Sequence, residues 1–262
     1  MTYIFDNAAP IAGARLAALA VVYDSASIRH LAARGVARGW QCLEIGGGLG
    51  TITRWLSDRV GPEGRVLTTD IDTRFLDAVQ LANVEVRRHD ILRDLLPTAA
   101  FDLAYARLVL EHLTDADAAL DRMIAALKPG GWVVVEDLEV PTTSPDARDR
   151  IDQGSKTAAI MRRVTEHAGI NFGLAVSLPR RLRDRGLVGV GNEGRVRLCH
   201  GHSADAHLAR LNFEQLREQI IATGEITSTE FEADLARLDD EDLVWRSATL
   251  WTVWGQRPET AA

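Results

Sequence analysis

The sequence predicts an α/β fold, a mostly parallel, doubly wound sheet with helices on both faces. Three observations favour this class. Short apolar runs alternate with stretches of helical periodicity along residues 40–137. The apolar runs are nearly continuous, as in strands that are buried on both faces. Turn signals separate them, among them Gly61-Pro62-Glu63-Gly64 and Lys128-Pro129-Gly130-Gly131, as expected when strands and helices alternate.

Length and composition narrow the class of protein. The chain has 262 residues, of which 46% are hydrophobic and 26% charged, so it can bury a core without disulfides or metals. Its net charge of -7 disfavours binding to duplex nucleic acid and favours a small or uncharged substrate. Cys42 and Cys199 lie in apolar runs, which predicts buried free thiols. The apolar run 16–22 is too short to span a membrane, and we expect a cytoplasmic protein.

The elements follow in chain order. Residues 1–39 predict two helices, the second capped by Asp24 or Ser25. We expect strands at 40–45, 65–70, 84–88, 101–106, 132–136, 187–199 and 249–254. We expect helices at 51–60, 73–81, 115–127, 146–168, 177–185 and 203–243. The last of these is interrupted at Gly224 and restarted by a capping-box pattern at Ser228-Thr229-Glu230. Residues 141–145 read as a loop.

A glycine turn follows the first predicted strand. Gly46, Gly47, Gly48 and Gly50 stand between that strand and the next helix, where backbone N–H groups can meet a ligand. The spacing does not fit the dinucleotide fingerprint Gly-x-Gly-x-x-Gly. The pattern Glu44-x-Gly46-x-Gly48-x-Gly50 instead resembles motif I of the class I S-adenosylmethionine-dependent methyltransferases.

Further stretches extend this resemblance over residues 40–137. Thr69-Asp70-Ile71 is similar to the acidic loop and His89-Asp90-Ile91 to the adenine loop. Phe101-Asp102-Leu103 with 109–113 is similar to motif IV and its following helix, and 127–131 to the turn before strand five. The chain looks most like small-molecule methyltransferases of the bacterial, ubiquinone-biosynthesis-like kind. The resemblance implies a Rossmann-like, seven-stranded sheet with a helical cap. The implied domains are a helical lid (1–39), a cofactor-binding core (40–140), and cap insertions with the last strands (141–262).

Two acidic residues at strand ends are candidates for binding adenosine. Asp70 can accept hydrogen bonds from both ribose hydroxyls, because ligands cross the carboxyl ends of such sheets. The alternative is a cap on the next helix. Asp90 can accept from the adenine amine, with Ile71 and Ile91 as apolar walls. The alternative is an ordinary loop residue.

The resemblance assigns the remaining cofactor contacts. It implies that Glu44 organises the glycine turn and the methionine amino group. It places Ala106 and Arg107 where such enzymes hold the methionine amino and carboxylate groups. Arg107 could pair with that carboxylate or form a surface ion pair with Glu111. Tyr23 could close over the cofactor or pack internally.

The acceptor side is less defined. His112, after strand four, is the candidate general base, and its alternative is a histidine packed on the sheet. Asp137, His167 and Asn171 are substrate-side candidates. Residues 199–207 hold Cys199, His200, His202, Asp205 and His207, but a polar strand end is the favoured interpretation. Ala106-Arg107 also stands where metal-dependent relatives place an aspartate, so we expect no metal.

The sequence therefore predicts an S-adenosylmethionine-dependent methyltransferase acting on a small organic acceptor at oxygen. S-adenosylhomocysteine is the implied product, and a homodimer is left open. Two alternatives remain. One is an NAD(P)-dependent oxidoreductase, which the missing dinucleotide fingerprint and Tyr-x-x-x-Lys pair disfavour. The other is a cofactor-binding regulatory protein without turnover, since no base is unmistakable.

Overall fold

The computed structural model describes residues 4–140 and 155–259. The part of the predicted helix 146–168 before residue 155, and the predicted loop 141–145, lie outside these ranges. Within them, every helix is too short or too polar to span a bilayer. The helices are α1 (Ala12–Ala33), α2 (Thr51–Val60), α3 (Ala116–Ala126), α4 (Lys156–His167), α5 (Leu174–Asp184), α6 (Ala204–Gln215), α7 (Arg217–Ala222) and α8 (Ser228–Arg237). The strands are β1 (Gln41–Ile45), β2 (Arg65–Asp70), β3 (Val84–Arg88), β4 (Phe101–Arg107), β5 (Leu127–Glu139), β6 (Val188–Arg195), β7 (Leu198–His200), β8 (Val244–Arg246) and β9 (Thr249–Gln256).

The central sheet has seven strands in the order β3-β2-β1-β4-β5-β9-β6. The pairs β1–β2, β1–β4, β2–β3 and β4–β5 are parallel. Because the order reverses beside β1, the carboxyl ends of β1 and β4 flank a switch point, which is where ligands bind in open α/β sheets. The predicted doubly wound α/β class is confirmed.

Alternating residues of the strands supply two apolar cores, one on each face. Leu43, Ala104 and Val133 belong to a cluster that includes residues of α3 and α5. Cys42 and Leu103, which point the other way, belong to a second cluster with residues of α1 and α2. This alternation is what strand geometry dictates, and it explains why the strands read as continuous apolar runs.

The chain forms two compact units. The first contains the seven-stranded sheet and is built from Asp24–Glu139, Phe172–Gly194 and the chain from Leu250 onward. The second is built from the described parts of 1–23, 140–171 and 195–249. It is mainly helical, with α4 packed on α6, α7 and α8, and it holds the antiparallel pair β7–β8.

Three predicted elements differ from the structure. Residues 12–33 form one helix rather than two, and neither predicted cap begins a new helix: Asp24 pairs with Arg107, and Ser25 is exposed within the helix. Residues 73–81 form turns rather than a helix, since Leu76 and Val79 pack beneath the glycine turn. The predicted strand 187–199 divides into β6 and β7, which belong to different sheets.

Candidate functional site

The glycine turn joins β1 to α2 with no room for side chains. A Cβ on Gly46 would lie 2.3 Å from Val109 Cγ2, and one on Gly47 would lie 2.2 Å from Thr68 Oγ1. Gly46 also has a φ of +73°, which favours glycine. Gly50 is left-handed and precedes the first turn of α2. Glycine is therefore required for the turn to pack directly on Thr68 and Val109, and Gly46, Gly47 and Gly48 remain partly exposed, so that their backbone is open to a ligand.

Asp70, at the end of β2, is bound to this turn. Its Oδ2 accepts a hydrogen bond from Gly48 N–H at 3.0 Å, and its Oδ1 accepts from Asp72 N–H at 3.0 Å. Burial raises the pKa of its carboxyl above the ordinary value. The predicted alternative of a helix cap has no helix to serve, and Asp72 bonds to Arg74. Each Asp70 oxygen has further acceptor capacity for a ligand hydroxyl.

The adenine-loop residues have mixed surroundings. Asp90 Oδ1 accepts from Leu92 N–H at 2.9 Å, and its Oδ2 lies 3.4 Å from Arg93 Nε. This is the local turn that the alternative interpretation describes. Ile71 is 52% exposed, whereas Ile91 is 3% exposed and belongs to the core. Of the two predicted walls, only Ile71 presents a free apolar surface.

Glu44 lies below the turn rather than on the surface. It is 3% exposed, and its Oε2 accepts from Thr53 and Thr68 hydroxyls. Burial raises the pKa of its carboxyl to about 7, although both threonines oppose the shift. Glu44 thus links β1, β2 and α2 around the turn, which agrees with an organising role.

Arg107, at the end of β4, is held by residues that the sequence did not assign. Its Nη2 donates to Asp24 Oδ1 at 2.8 Å and its Nη1 to Ser27 Oγ at 2.9 Å. The predicted ion-pair alternative with Glu111 is not what forms. Burial opposes the charge of Arg107, but neighbouring acidic groups, Asp24 among them, hold its pKa above the ordinary value. Ala106 beside it has no exposed surface and pairs within the sheet with β1 and β5, so it offers no direct contact to a ligand.

Glu136 completes this network and was also missed. Its Oε2 accepts from Ser27 Oγ and from Tyr105 Oη at 2.7 Å, and its Oε1 accepts from Thr252 Oγ1 at 2.7 Å. A glutamate inside the apolar run of β5 was the available signal, since a charge is rarely buried without partners.

His112 follows β4 on a single 3₁₀ turn (Leu110–His112). Its side chain is 14% exposed, and its Nε2 lies 3.5 Å from Glu111 Oε1. Asp137, at the end of β5, has no exposed surface, so its side chain offers no direct contact to an acceptor. The structure therefore removes Asp137 from the substrate-contact candidates and brings it to the turn that carries His112, where its Oδ1 accepts from Val109 N–H at 3.2 Å.

The remaining candidates belong to the helical unit. Tyr23 is 5% exposed, and the guanidinium of Arg197 lies 5.0 Å from its ring centroid, which is the packing role left open. His167, at the end of α4, and Asn171 are exposed.

Among residues 4–140 and 155–259, no group of three or more His, Cys, Asp or Glu could hold a metal ion. Within the cysteine–histidine stretch, Asp205 pairs with Arg197. Cys42 and Cys199 are free and buried, as predicted.

A surface groove of about 610 Å³ lies elsewhere in the sheet unit. It is lined by Gln41 and Arg65, which begin β1 and β2, and by the loop after α2. It is therefore at the amino ends of the strands, the opposite edge from the glycine turn and Asp70. Ligands of open α/β sheets bind at the carboxyl edge, so we do not place the site there.

Comparison with known proteins identifies the family. A family profile described as a methyltransferase domain matches residues 20–190, more than half of the chain. The chain belongs to the class I S-adenosylmethionine-dependent methyltransferase family. The resemblance drawn from its motifs is confirmed, and so is the predicted cofactor.

Two relatives are ubiquinone/menaquinone biosynthesis C-methyltransferases. The one from Idiomarina loihiensis is 34% identical over 118 residues, which cover 42% of this chain and 47% of that protein. The one from Pseudomonas savastanoi is 35% identical over 116 residues, covering 41% and 45%. The aligned part of the chain thus spans about half the length of these relatives.

Solved structures share the fold. Phosphoethanolamine N-methyltransferase 2 of Haemonchus contortus, in complex with phosphomonomethylethanolamine and S-adenosylhomocysteine, has a TM-score of 0.55 at 15% identity. The alignment covers 86% of this chain and 50% of that one. A Bacillus halodurans protein described as a methyltransferase has a TM-score of 0.56 at 14% identity, covering 89% and 98%.

Proposed function

We propose that this chain transfers a methyl group from S-adenosylmethionine to a small hydroxylated organic acceptor, with oxygen as the first expected target. The cofactor assignment rests on the arrangement of residues at the carboxyl edge of the sheet unit. There the glycine turn, Asp70 and Arg107 follow β1, β2 and β4, which are neighbouring strands. The glycine turn, an acceptor carboxylate and a fixed cation suit a ligand that carries two ribose hydroxyls and an amino-acid carboxylate.

Each residue has a distinct part in holding the cofactor. Asp70 would accept the two ribose hydroxyls, and Ile71 would cover one face of the adenine. Arg107 has five N–H donors, of which Asp24 and Ser27 engage two. These two contacts orient the guanidinium, and its remaining donors would meet the methionine carboxylate. When bound, the cofactor supplies a methyl group activated by its positively charged sulfur.

The chain's own task in the reaction is alignment and proton removal. An acceptor hydroxyl that carries its proton is a poor nucleophile, and a base raises its reactivity. His112 lies on the 3₁₀ turn that follows β4, shortly after Arg107 in the chain. If the hydroxyl is on an aromatic ring, removing its proton makes both the oxygen and the adjacent ring carbon nucleophilic. The names of the C-methyltransferase relatives therefore support a hydroxylated aromatic acceptor without deciding between the two atoms.

Three further expectations stay proposals. A small-molecule acceptor is supported by the net charge of -7, which disfavours nucleic acid. A cytoplasmic location is supported by the two free, buried thiols. A homodimer is testable by light scattering after gel filtration. The oxidoreductase alternative is not favoured, since the family profile and the glycine spacing both point to methyl transfer.

Binding tests the cofactor assignment. S-adenosylhomocysteine at about a hundred times its dissociation constant should add nearly 3 kcal/mol of stability, whereas NAD and NADP should add none. Asp70→Ala should weaken S-adenosylhomocysteine binding about 10- to 100-fold by calorimetry, because it removes a charged acceptor. Asp72→Ala is the matched control, since its side chain bonds to Arg74, and should bind normally. A thermal shift with NAD but none with S-adenosylhomocysteine would overturn the proposal.

Turnover tests the acceptor class. Radiolabelled S-adenosylmethionine would be incubated with panels of phenols, hydroquinones and carboxylic acids, and methylated products identified by NMR. Transfer to a phenol or hydroquinone is the expected result. Transfer confined to carboxylic acids would refute the aromatic assignment, and cofactor binding without any transfer would favour the non-catalytic alternative.

A further inference from the structure

Two carboxyl groups join the His112 turn to the end of β5 by reciprocal hydrogen bonds. Asp137 Oδ1 accepts from Val109 N–H at 3.2 Å, and Glu111 Oε2 accepts from Leu138 N–H at 2.8 Å. Each strand end thus supplies both a donor and an acceptor. At the same place Leu108 has a φ of +54°, a strained value for a leucine of the kind found at functional sites. The geometry of the turn therefore depends on both carboxyl groups.

Neither carboxyl group has a permanent cation beside it. Asp137 is fully buried and Glu111 is 3% exposed. Among the described ion pairs, neither contacts a lysine or arginine, and the one ionisable partner is His112, 3.5 Å from Glu111. Within the described residues, Asp137 Oδ2 is buried without a hydrogen-bond partner. Two neighbouring buried carboxyl groups resist being ionised together. Burial raises the pKa of both carboxyl groups, and the nearby Glu111 raises that of Asp137 further.

Other groups around the pair do not neutralise it. The helix α5 packs against β5 and the 3₁₀ turn, and its buried residues are apolar. Of its cations, Arg180 and Arg183 are exposed, and Arg181, together with Arg185 just after the helix, is paired with Asp117 near the start of α3. On β5, Glu136 adds repulsion, and Glu139 accepts from Trp251 Nε1. Among the residues that the structure describes, a proton is therefore the counter-charge that this corner can hold.

We propose that Glu111 and Asp137 hold one proton between them, so that they are not ionised together, and act as positioning residues for His112, coupling its protonation to their own. This inference rests on the proposed function, in which His112 takes the acceptor proton. When the imidazole gains that proton, its positive charge favours the ionised form of the adjacent Glu111. When the imidazole loses the proton, the pair holds its own proton more tightly. The turn keeps its hydrogen bonds in both states, because they use the oxygens facing Val109 and Leu138.

The test uses two variants that act in opposite directions. Glu111→Gln keeps an oxygen for Leu138 N–H but cannot ionise, so His112 should lose about tenfold in proton affinity. Asp137→Asn removes the repulsion that keeps Glu111 protonated, so His112 should gain proton affinity. Glu139→Gln, a carboxylate further along the same strand that accepts from Trp251, is the control and should leave His112 unchanged. The readout is NMR of ¹⁵N-labelled histidine, with the His112 signal assigned by its absence in His112→Gln.

A merely structural role would not produce shifts of opposite sign. If His112 titrates alike in Glu111→Gln, Asp137→Asn and the wild type, the proposal is wrong. Infrared spectroscopy gives an independent check if a variant of the pair does not fold. Glu44→Gln leaves the pair intact and removes another buried carboxyl group, whose pKa is about 7, so its spectra near neutral pH should still show the carbonyl band of a protonated, buried carboxyl group. Its absence from about pH 6 to about pH 8 would also refute the proposal.

The two proposals fail separately. If S-adenosylhomocysteine binds and methyl transfer proceeds, but the NMR titration of His112 is the same in both variants as in the wild type, the methyltransferase function stands and the carboxyl pair is only structural. If the cofactor does not bind, the proposed function fails, and the NMR titration still reports whether the pair is coupled to His112. Where turnover is measured, Glu111→Gln should change the pH dependence of kcat while leaving the affinity for S-adenosylhomocysteine intact.

Discussion

Glu136 and Asp137 are neighbours on β5, and neither has any exposed surface, yet they lie in opposite electrostatic surroundings. Glu136 accepts three hydroxyl hydrogen bonds and shares Ser27 with Arg107. Asp137 lies near the carboxyl group of Glu111, and among the described residues its Oδ2 has no hydrogen-bond partner. Because strand side chains alternate, adjacent residues of one strand serve different sides of the sheet. The partners, rather than burial itself, decide whether a buried carboxyl group is structural or reactive.

The largest loss of unfolding free energy is expected for Glu136→Ala. The substitution leaves the hydroxyls of Ser27, Tyr105 and Thr252 without their acceptor, and it removes an anion near Arg107. Breaking such a buried network costs about 3–5 kcal/mol of unfolding free energy, measurable by urea denaturation. Glu139→Ala, which removes the acceptor of Trp251 alone, should cost about 1 kcal/mol. Equal losses in the two variants would contradict the idea that Glu136 organises a network.

A second effect concerns pH and Glu44, whose ordinary pKa of 4.5 is raised to about 7. The folded state keeps a proton that the unfolded state releases above about pH 4.5. The contribution of Glu44 to stability is therefore complete below about pH 4.5 and is lost as the pH rises to about 7. Glu44→Gln cannot titrate, so its stability should gain on the wild type by up to about 3 kcal/mol across this window.

Asp72 is the control for this pH range, because its pKa is shifted in the opposite direction to that of Glu44. Hydrogen bonding to Arg74 lowers the pKa of Asp72, so its stabilisation is present above its unfolded pKa and is lost as the pH falls. Asp72→Asn should therefore track the wild type between about pH 4.5 and about pH 7. Urea unfolding at several pH values measures both variants. A constant difference between Glu44→Gln and the wild type would disprove the protonated carboxyl group.

The smallest effect is expected for Asp137→Asn. The amide oxygen can still accept from Val109 N–H, while the repulsion from Glu111 disappears. We expect unfolding free energy to stay within about 1 kcal/mol of the wild type at neutral pH or to rise, in contrast to Glu136→Ala. A loss as large as that of Glu136→Ala would show that Asp137 is bound into a network like that of its neighbour.

Much of the fold could be predicted because it depends on residues that are close together in the sequence. The strands β1, β2 and β3 and the helix α2 follow from apolar runs bounded by turn residues, and their predicted bounds agree with the structure to within a residue. The helix predicted for residues 73–81 was wrong because helical periodicity is a weak preference. There the side chains of Leu76 and Val79 fill the space under the glycine turn, and that packing fixes the backbone.

The proposed cofactor-binding residues could be found in the sequence for the same reason. Asp70 and Arg107 end their strands, and strand ends in a parallel sheet meet at one edge. The residues that hold them could not be found in this way. Asp24 was predicted to cap a helix and Ser27 was given no role, and their bonds to Arg107 span 83 and 80 positions of sequence.

Local pattern and spacing were therefore enough for the α/β class, the glycine turn, the acidic strand ends and the family. Periodicity and turn chemistry depend on residues that are neighbours in the sequence, so the sequence alone is enough to detect them. Tertiary structure alone decided which carboxyl groups are paired, which are opposed, and which of them adjoin His112. Glu111 and Asp137 meet because β4 pairs with β5, and the charge of a buried group depends on what the fold brings next to it.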